Sequence, residues 1–469
     1  MKYRIFIYIL LIALSALTPD FTISAISILC LGIAMELLNR IPGPKILLFS
    51  FLYEWMQVNI KLVYADVLGE EHSTFFNYPD NVNMVSVYSN IGLIVMVIAI
   101  YIVLANSIKK WEKAISEYSF EAIHVPKLIV IYLIFCFLSS YLMNFGWSHG
   151  SLSQIIFAMA SIQWGLLVVL IYIAFSNPLY KYVTFLIVGF QLLLSLASFF
   201  SSFKIFIFYF IIAYLIYIKR VTIKVAVWGI IISILLVHTG LIWTSVKGEY
   251  RSYVSGGEVT QSVNVSKGEA INKLAELSVN AYGNGLSDNF STLLDRISYL
   301  DFFASVTENV PSKMPYENGT LTKKTIMHVL MPRMFFPGKQ ALDDSDDLNT
   351  YAGLSVANKE GGTSIGMGYF AYFYIDFGFP FMLLPLLLLG LYMGYVYKTC
   401  FIIVPHYFWG IVYVCPLLLQ FMLFETSLPK VFGGITIWFI IVAVFGKRIA
   451  RVVNSTMFKS DGRERKMFV

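Results

Sequence analysis

Apolar runs of about 14 to 23 residues recur from one end of this chain to the other, and a single polar stretch of about 130 residues interrupts them. A run of that length is a candidate for a helix that crosses a bilayer, because hydrocarbon offers backbone groups no partner outside the segment itself. A water-soluble core cannot absorb so many uncharged helices. Composition agrees: 58% of residues are hydrophobic and only 13% are charged, against roughly 25% charged in soluble domains. The expected class is an all-α polytopic integral membrane protein.

Twelve spans are expected, at 5–18, 22–38, 46–64, 89–106, 127–144, 153–175, 182–199, 204–218, 223–245, 379–398, 407–424 and 430–447. The first two are short, and Thr18-Pro19-Asp20-Phe21 between them favours a turn over one continuous helix. The first run follows Lys2 and Arg4 and lacks a small-residue cleavage site with a polar sequel. It is therefore expected to be a retained span rather than a removed signal peptide.

The placement of charge tests this count. With the N-terminus inside, twenty Lys and Arg fall in inner segments, among them Arg40, Lys109, Lys110, Lys219, Arg220, Lys447 and Arg448. Outside the long polar stretch, the opposite side carries only Lys204 and Lys430. That bias sets both termini in the cytosol and the long stretch on the far side. Merging the first two runs would invert it. The net charge of +6 is thus topological, and no nucleic-acid partner is expected. The organisation is 1–246 with spans one to nine, 247–378 as a large outer loop, 379–447 with spans ten to twelve, and 448–469 as a basic cytosolic tail.

The loop holds eleven Lys/Arg and fifteen Asp/Glu, so it is not a polybasic arm. It reads as a small folded cap, with helical pieces expected at Ile271–Val279 and Ile297–Val306. No internal repeat of the kind that marks inverted-repeat transporters is present. Four cysteines occur and none lies in the loop, so no disulfide framework or CxxC metal site is implied.

Cations in the loop are the first candidates for chemistry. Lys247 and Arg251 are four apart and can share a helix face. Arg296 follows Asp295, and Arg333 and Lys339 flank the prolines Pro332 and Pro337. Guanidinium forks suit phosphate oxygens, and an ammonium supplies a point charge. The competing reading is ordinary loop charges paired with the fifteen acids. His328 and Glu249 are candidate general bases, with Asp295 a rival. Lys204, against the charge bias, would meet an anionic head group or snorkel to the interface. In span three, Glu54, Gln57 and Lys61 share one face, and an internal Glu54–Lys61 pair lining a cavity is expected, which His238 and Glu425 could join. The acidic run Asp343–Asp347 lacks the EF-hand glycine and terminal glutamate and reads as a solvated turn.

The order of these parts resembles the Wzy-type polymerases of bacterial O-antigen and capsule repeat units. Lys247–Arg251 resembles that family's K-x-x-Y-R opening of the loop, and Asp295-Arg296 its internal D-R. Pro332-Arg333 with Pro337-Gly338-Lys339 resembles its P-R-x-x-x-P-x-K segment. Gly362-Thr363-Ser364 and Asp376-Phe377-Gly378 resemble the exit into span ten. The chain departs from the pattern at Tyr372, where members often carry glutamate, and at Lys204, where they tend to carry arginine.

The resemblance implies an inner-membrane glycosyltransferase, metal-independent and without cofactor, whose large loop is periplasmic. It would move a growing glycan from undecaprenyl diphosphate to the non-reducing end of the next lipid-linked repeat, in the making of O-antigen, capsule or exopolysaccharide. Implied partners are undecaprenyl-diphosphate-linked oligosaccharides, membrane lipid and a chain-length regulator protein. Arg251, Arg296 and Arg333 would hold the diphosphate or acceptor, with Lys247, Lys339 and Lys204 in support and His328 or Glu249 as base. The rival readings are an O-antigen ligase and a lipid-linked glycan flippase.

Overall fold

The computed structural model describes residues 2–117, 123–148, 152–196, 203–218, 223–257, 264–283, 289–331, 335, 336, 338, 339, 343–355, 365–404, 406–421 and 424–457. Arg333 lies outside the described residues, and so does the Gly362-Thr363-Ser364 motif. Among them the chain is helical, without a strand. The helices are α1 (Lys2–Ser15), α2 (Phe21–Leu38), α3 (Ile46–Leu68), α4 (Pro79–Ala105), α5 (Ile108–Glu117), α6 (Val125–Ser148) and α7 (Ser153–Ala160). There follow α8 (Ile162–Ser176), α9 (Pro178–Leu196), α10 (Phe203–Tyr217), α11 (Ile223–Val254), α12 (Lys267–Gly283), α13 (Asn289–Ile297) and α14 (Leu300–Asn309). The last seven are α15 (Thr320–Leu330), α16 (Asp344–Ala352), α17 (Tyr369–Phe377), α18 (Leu383–Ile402), α19 (Tyr407–Val414), α20 (Leu418–Phe421) and α21 (Leu428–Met457).

Among the described residues, seven helices are long and apolar enough to cross a membrane, and four shorter apolar helices accompany them. Each apolar run read from the sequence falls on helix, with differences at the ends. A proline opens α4 at Pro79, ten residues before the expected start, where its missing N–H leaves no bond unmade. The 153–175 run is two helices that meet at Ser161, whose hydroxyl donates back to the Ala158 carbonyl at 2.6 Å. The 407–424 run is broken by a 3-10 turn at Cys415–Leu417, because Pro416 has no N–H for the ladder. The expected piece Ile297–Val306 is also split: α13 ends at Ile297 and α14 begins at Leu300.

The largest difference concerns α11. It continues without interruption to Val254, so Lys247–Arg251 is the last part of a helix rather than the opening of a loop. The reason is a local core. Val246, Tyr250 and Val254, four apart on one face, pack on Ala270 and Leu277 of α12, and this burial outweighs the polar residues between them.

The chain forms two compact units: Met1–Leu170 with Tyr299–Val356 and Ile365–Val469, and Ile171–Ser298 with Ala357–Ser364. The polar stretch 247–378 thus contributes to both. In the first unit, α18 lies against α4 through Gly390 and Gly394, one turn apart. A Cβ at Gly390 would sit 2.8 Å from the Met96 carbonyl oxygen and one at Gly394 3.1 Å from that of Ile100. Small residues at such a crossing let backbones approach where no hydrophobic force drives helices together in lipid. Gly165 of α8 is tighter still, since a Cβ there would lie 2.1 Å from the backbone oxygen of Val412. Backbone cannot swing aside as a side-chain tip can. Gly165→Ala is therefore expected to lose about 1–3 kcal/mol or more by overpacking, read as a lower thermal unfolding midpoint of the detergent-purified protein, while Gly189→Ala, with open space at its Cβ, stays near wild type.

Candidate functional site

One face of α3 carries the densest set of buried polar side chains in the first unit. Glu54, Gln57 and Lys61 are 5%, 2% and 2% exposed, and each is met by a group from a distant part of the chain. The Tyr369 hydroxyl of α17 donates to Glu54 Oε1 at 3.0 Å. The Gln57 side-chain amide donates to the Glu425 carboxylate. Lys61 Nζ stands 2.7 Å from Asp301 Oδ2 of α14 and 4.8 Å from the centre of the Phe76 ring. The other Asp301 oxygen accepts from the Asn77 backbone N–H at 2.9 Å. Backbone joins in as well: the Tyr299 N–H donates to the Gln57 carbonyl at 3.1 Å. The shared face is readable from the sequence, whereas the ion pair of Lys61 is made with Asp301, an aspartate among Leu300, Phe302 and Phe303 whose apolar neighbours carry no local signal of it. Glu425 does reach this cluster, through Gln57, whereas His238 belongs to the second unit.

The acidic run forms part of the same unit, and it is not a solvated turn. Asp343 caps α16 by accepting from the Ser345 N–H at 3.1 Å. Asp344 is buried and pairs with Lys430 at 2.7 Å, and Asp347 accepts from the Tyr372 hydroxyl at 2.6 Å. Burial lifts the Asp347 carboxyl above the usual range, more than the Tyr372 bond and Lys324 pull it down. Burial, with the Asp347 charge, likewise pushes the Tyr372 phenol well above its ordinary value. Two glycines clamp the backbone beside Glu425. A Cβ at Gly366 would lie 2.7 Å from the Glu425 carbonyl oxygen, and one at Gly368, whose φ is +86°, 2.6 Å from that of Phe424. Tyr299 is pushed up to about 12, by burial first and then by the Glu425 charge.

His328 and Lys339 meet at α15. Asp376 caps that helix from a distance: its carboxylate accepts from the Leu321 N–H at 2.9 Å, the Thr322 N–H at 2.7 Å and the Thr322 hydroxyl at 2.6 Å. At the other end, the Lys339 ammonium donates to the His328 carbonyl and, at 2.9 Å, to that of Met331. A cation there satisfies carbonyls that the helix leaves open. Lys339 therefore has a structural duty that the phosphate reading did not include.

The second unit brings Arg251 and Arg296 together. Both occupy the last turn of their helices, α11 and α13, which pack with Leu293 against Gly240. Burial lowers the Arg251 pKa, and the nearby positive charge of Arg296 lowers it further. Arg251 is partly buried and Arg296 is exposed. Lys247 lies one turn before Arg251 on α11. Glu249 is exposed and stands 3.5 Å from Lys273, which also pairs with Glu276 at 3.0 Å. That is the geometry of a surface ion pair, worth little. Lys204 is the second residue of α10, and its side chain lies outside the described residues. Among the described residues no group of three His, Cys, Asp or Glu is arranged to hold a metal.

Two outcomes are expected. Lys61→Met should cost about 3–5 kcal/mol, because it strands Asp301 as a buried charge, and adding Asp301→Leu should recover most of the loss. Thermal unfolding of the single and double variants measures this. Asp347 has a raised folded-state pKa, so its contribution to stability is full below its unfolded value of about 4 and is lost as pH rises through the folded one. Asp347→Asn should therefore raise the unfolding midpoint at neutral pH, with the gain vanishing in a series run down below that value.

No curated protein and no solved structure matches the chain. A family model does: residues 37–454 match DUF8712, a domain of unknown function, and the chain belongs to that family.

Proposed function

We propose that the protein is a membrane glycosyltransferase that polymerises undecaprenyl-diphosphate-linked oligosaccharide repeats at the outer face of the bacterial inner membrane. The observation that carries this reading is the packing of α11 on α13, whose last turns bring Arg251 and Arg296, forty-five positions apart in the chain, within range of one another's charge. These are two of the three arginines that the resemblance to Wzy-type polymerases selects. Support also comes from the recurring apolar helices and from the clustering of Lys and Arg between them, which in this reading puts both termini in the cytosol and the polar stretch in the periplasm.

The chemistry suits the residues. As the bond from the sugar C1 to the phosphate oxygen breaks, negative charge grows on a lipid diphosphate. The partly buried Arg251 would stabilise that charge with little reorganisation, and the exposed Arg296 would add to it. The half-burial of Arg251 strengthens the effect, since charge interactions weaken in water. Lys247 extends the positive region along α11, and Arg333, Lys339 and Lys204 complete the cationic set in this reading.

The test is genetic and then chemical. Deleting the gene should leave surface glycan with a single repeat and remove the long ladder on a gel. Loss of all surface glycan with lipid-linked polymer accumulating would identify a ligase instead, and single repeats held at the cytosolic face a flippase. In the complemented strain, Arg251→Ala and Arg333→Ala should each reduce chain extension about a hundredfold or more at unchanged protein level in the membrane. Normal ladders from both would overturn the proposal.

A further inference from the structure

We infer that α15 and the Phe335-Phe336 turn beyond it lie in the plane of a membrane interface, with their outward apolar side chains among lipid tails and Lys323 and Lys324 on the phosphates of anionic phospholipid. This surface belongs to the first unit alone and is independent of the polymerase reading.

Helical spacing gives α15 two apolar sides. Inward, Leu321 and Thr325 are buried, and Val329 comes against α21, where a Cβ on Gly433 would lie 3.4 Å from its Cγ2. Outward, Ile326, Met327 and Leu330 are exposed, Leu330 by 66%. A surface helix of a water-soluble domain keeps that side polar. The apolar side does not end with the helix, because Phe335 and Phe336 are exposed as well, Phe335 by 69%. Lys339 ties this turn to the end of α15. Its N–H donates to the Phe336 carbonyl at 3.1 Å, and its ammonium donates to the Met331 carbonyl at 2.9 Å. Five exposed large apolar side chains within eleven positions exceed the scatter that is normal on a soluble surface.

The neighbours of α15 say what covers them. The helix packs on α21, which is long and apolar enough to cross a membrane. Gly433 is five residues past the start of α21, about 8 Å along its axis. Amphipathic helices lie about 5–10 Å into the head-group boundary. Thr322 of α15 also borders a groove of about 470 Å³ that Phe381, Leu384 and Leu388 line. These three lie at or just before the start of α18, a second helix of membrane length, and all are exposed. Exposed apolar surface thus continues from α18 to α15 within the first unit, and the lipid that surrounds α18 and α21 reaches α15.

Charge selects the lipid. The eleven residues of α15 include no acid, and Lys323 and Lys324 are exposed in its first half. Lys324 also feels the Asp347 carboxylate, which leaves Lys323 as the principal contact. Lysine stems reach back to phosphates while neighbouring apolar side chains enter the tails, and anionic lipid strengthens such a contact.

The test uses the full-length protein in vesicles, with a nitroxide attached at Met327→Cys or Leu330→Cys. The background is Cys136→Ser, which removes the cysteine that is not buried. Collisions with oxygen, which concentrates in the bilayer, are compared with collisions with a nickel chelate, which stays in water. Ser312→Cys, exposed in a polar turn of the same unit, is the reference in water. The α15 labels should show an oxygen-to-nickel ratio several-fold above the reference. That ratio should rise when phosphatidylcholine vesicles are replaced by vesicles containing phosphatidylglycerol, and Lys323→Gln with Lys324→Gln should abolish the rise. A ratio equal to the reference would put the patch in water, and shielding from both reagents would mean that protein covers it; either result overturns the inference. No response to phosphatidylglycerol would overturn the assignment of anionic lipid. Phe335→Cys supplies a third position should either α15 variant fail to accumulate.

Discussion

Taking the Lys61 ammonium out of water obliges the protein to place an anion beside it, and Asp301 at 2.7 Å is that anion. Much of the first unit follows from this pair. Asp301 opens α14, so the pair holds the start of that helix on α3, and the Tyr299 N–H bond to the Gln57 carbonyl lies one turn away. The same face of α3 then reaches α17 through Glu54 and Tyr369, and the segment before α21 through Gln57 and Glu425. Three buried polar side chains on one helix thus tie together pieces of chain up to 368 positions apart. Lysine, glutamine and glutamate can do this because each is too costly to bury without its partner.

Charge is arranged differently in the second unit. Arg251 and Arg296 are like charges in range of one another, and the Arg296 charge lowers the Arg251 pKa beyond what burial does. The second unit also holds ordinary surface ion pairs, Lys273 with Glu249 and Glu276. Lys339 shows why residue type alone does not assign a role. It sits in a motif suggestive of phosphate binding, and its ammonium is engaged with the carbonyls that end α15.

What was legible in the sequence divides along the range of the forces involved. Helix in each apolar run was legible because a run of uncharged residues has one way to satisfy its backbone in hydrocarbon. The shared face of Glu54, Gln57 and Lys61 was legible because helical spacing is local. The Pro19-Asp20 turn was legible for the same reason, and α2 does begin at Phe21. The continuation of α11 to Val254 was not, because it depends on burial against α12, whose residues are some twenty positions away. The acidic run misled for a related reason. Asp343–Asp347 is strongly polar in composition, and only contact with Lys430 and Tyr372 makes two of its carboxylates partly or wholly buried.

By itself, then, the sequence determined a helical chain of recurring apolar runs interrupted by one long polar stretch, since both depend on runs and spacings within a few turns. Tertiary structure alone decided which charges became partners. Asp301 for Lys61, Glu425 for Gln57 and Asp376 for the start of α15 are choices made across tens to hundreds of positions. Desolvation makes those choices strict, because a buried polar group accepts only a partner that the fold delivers within hydrogen-bond reach.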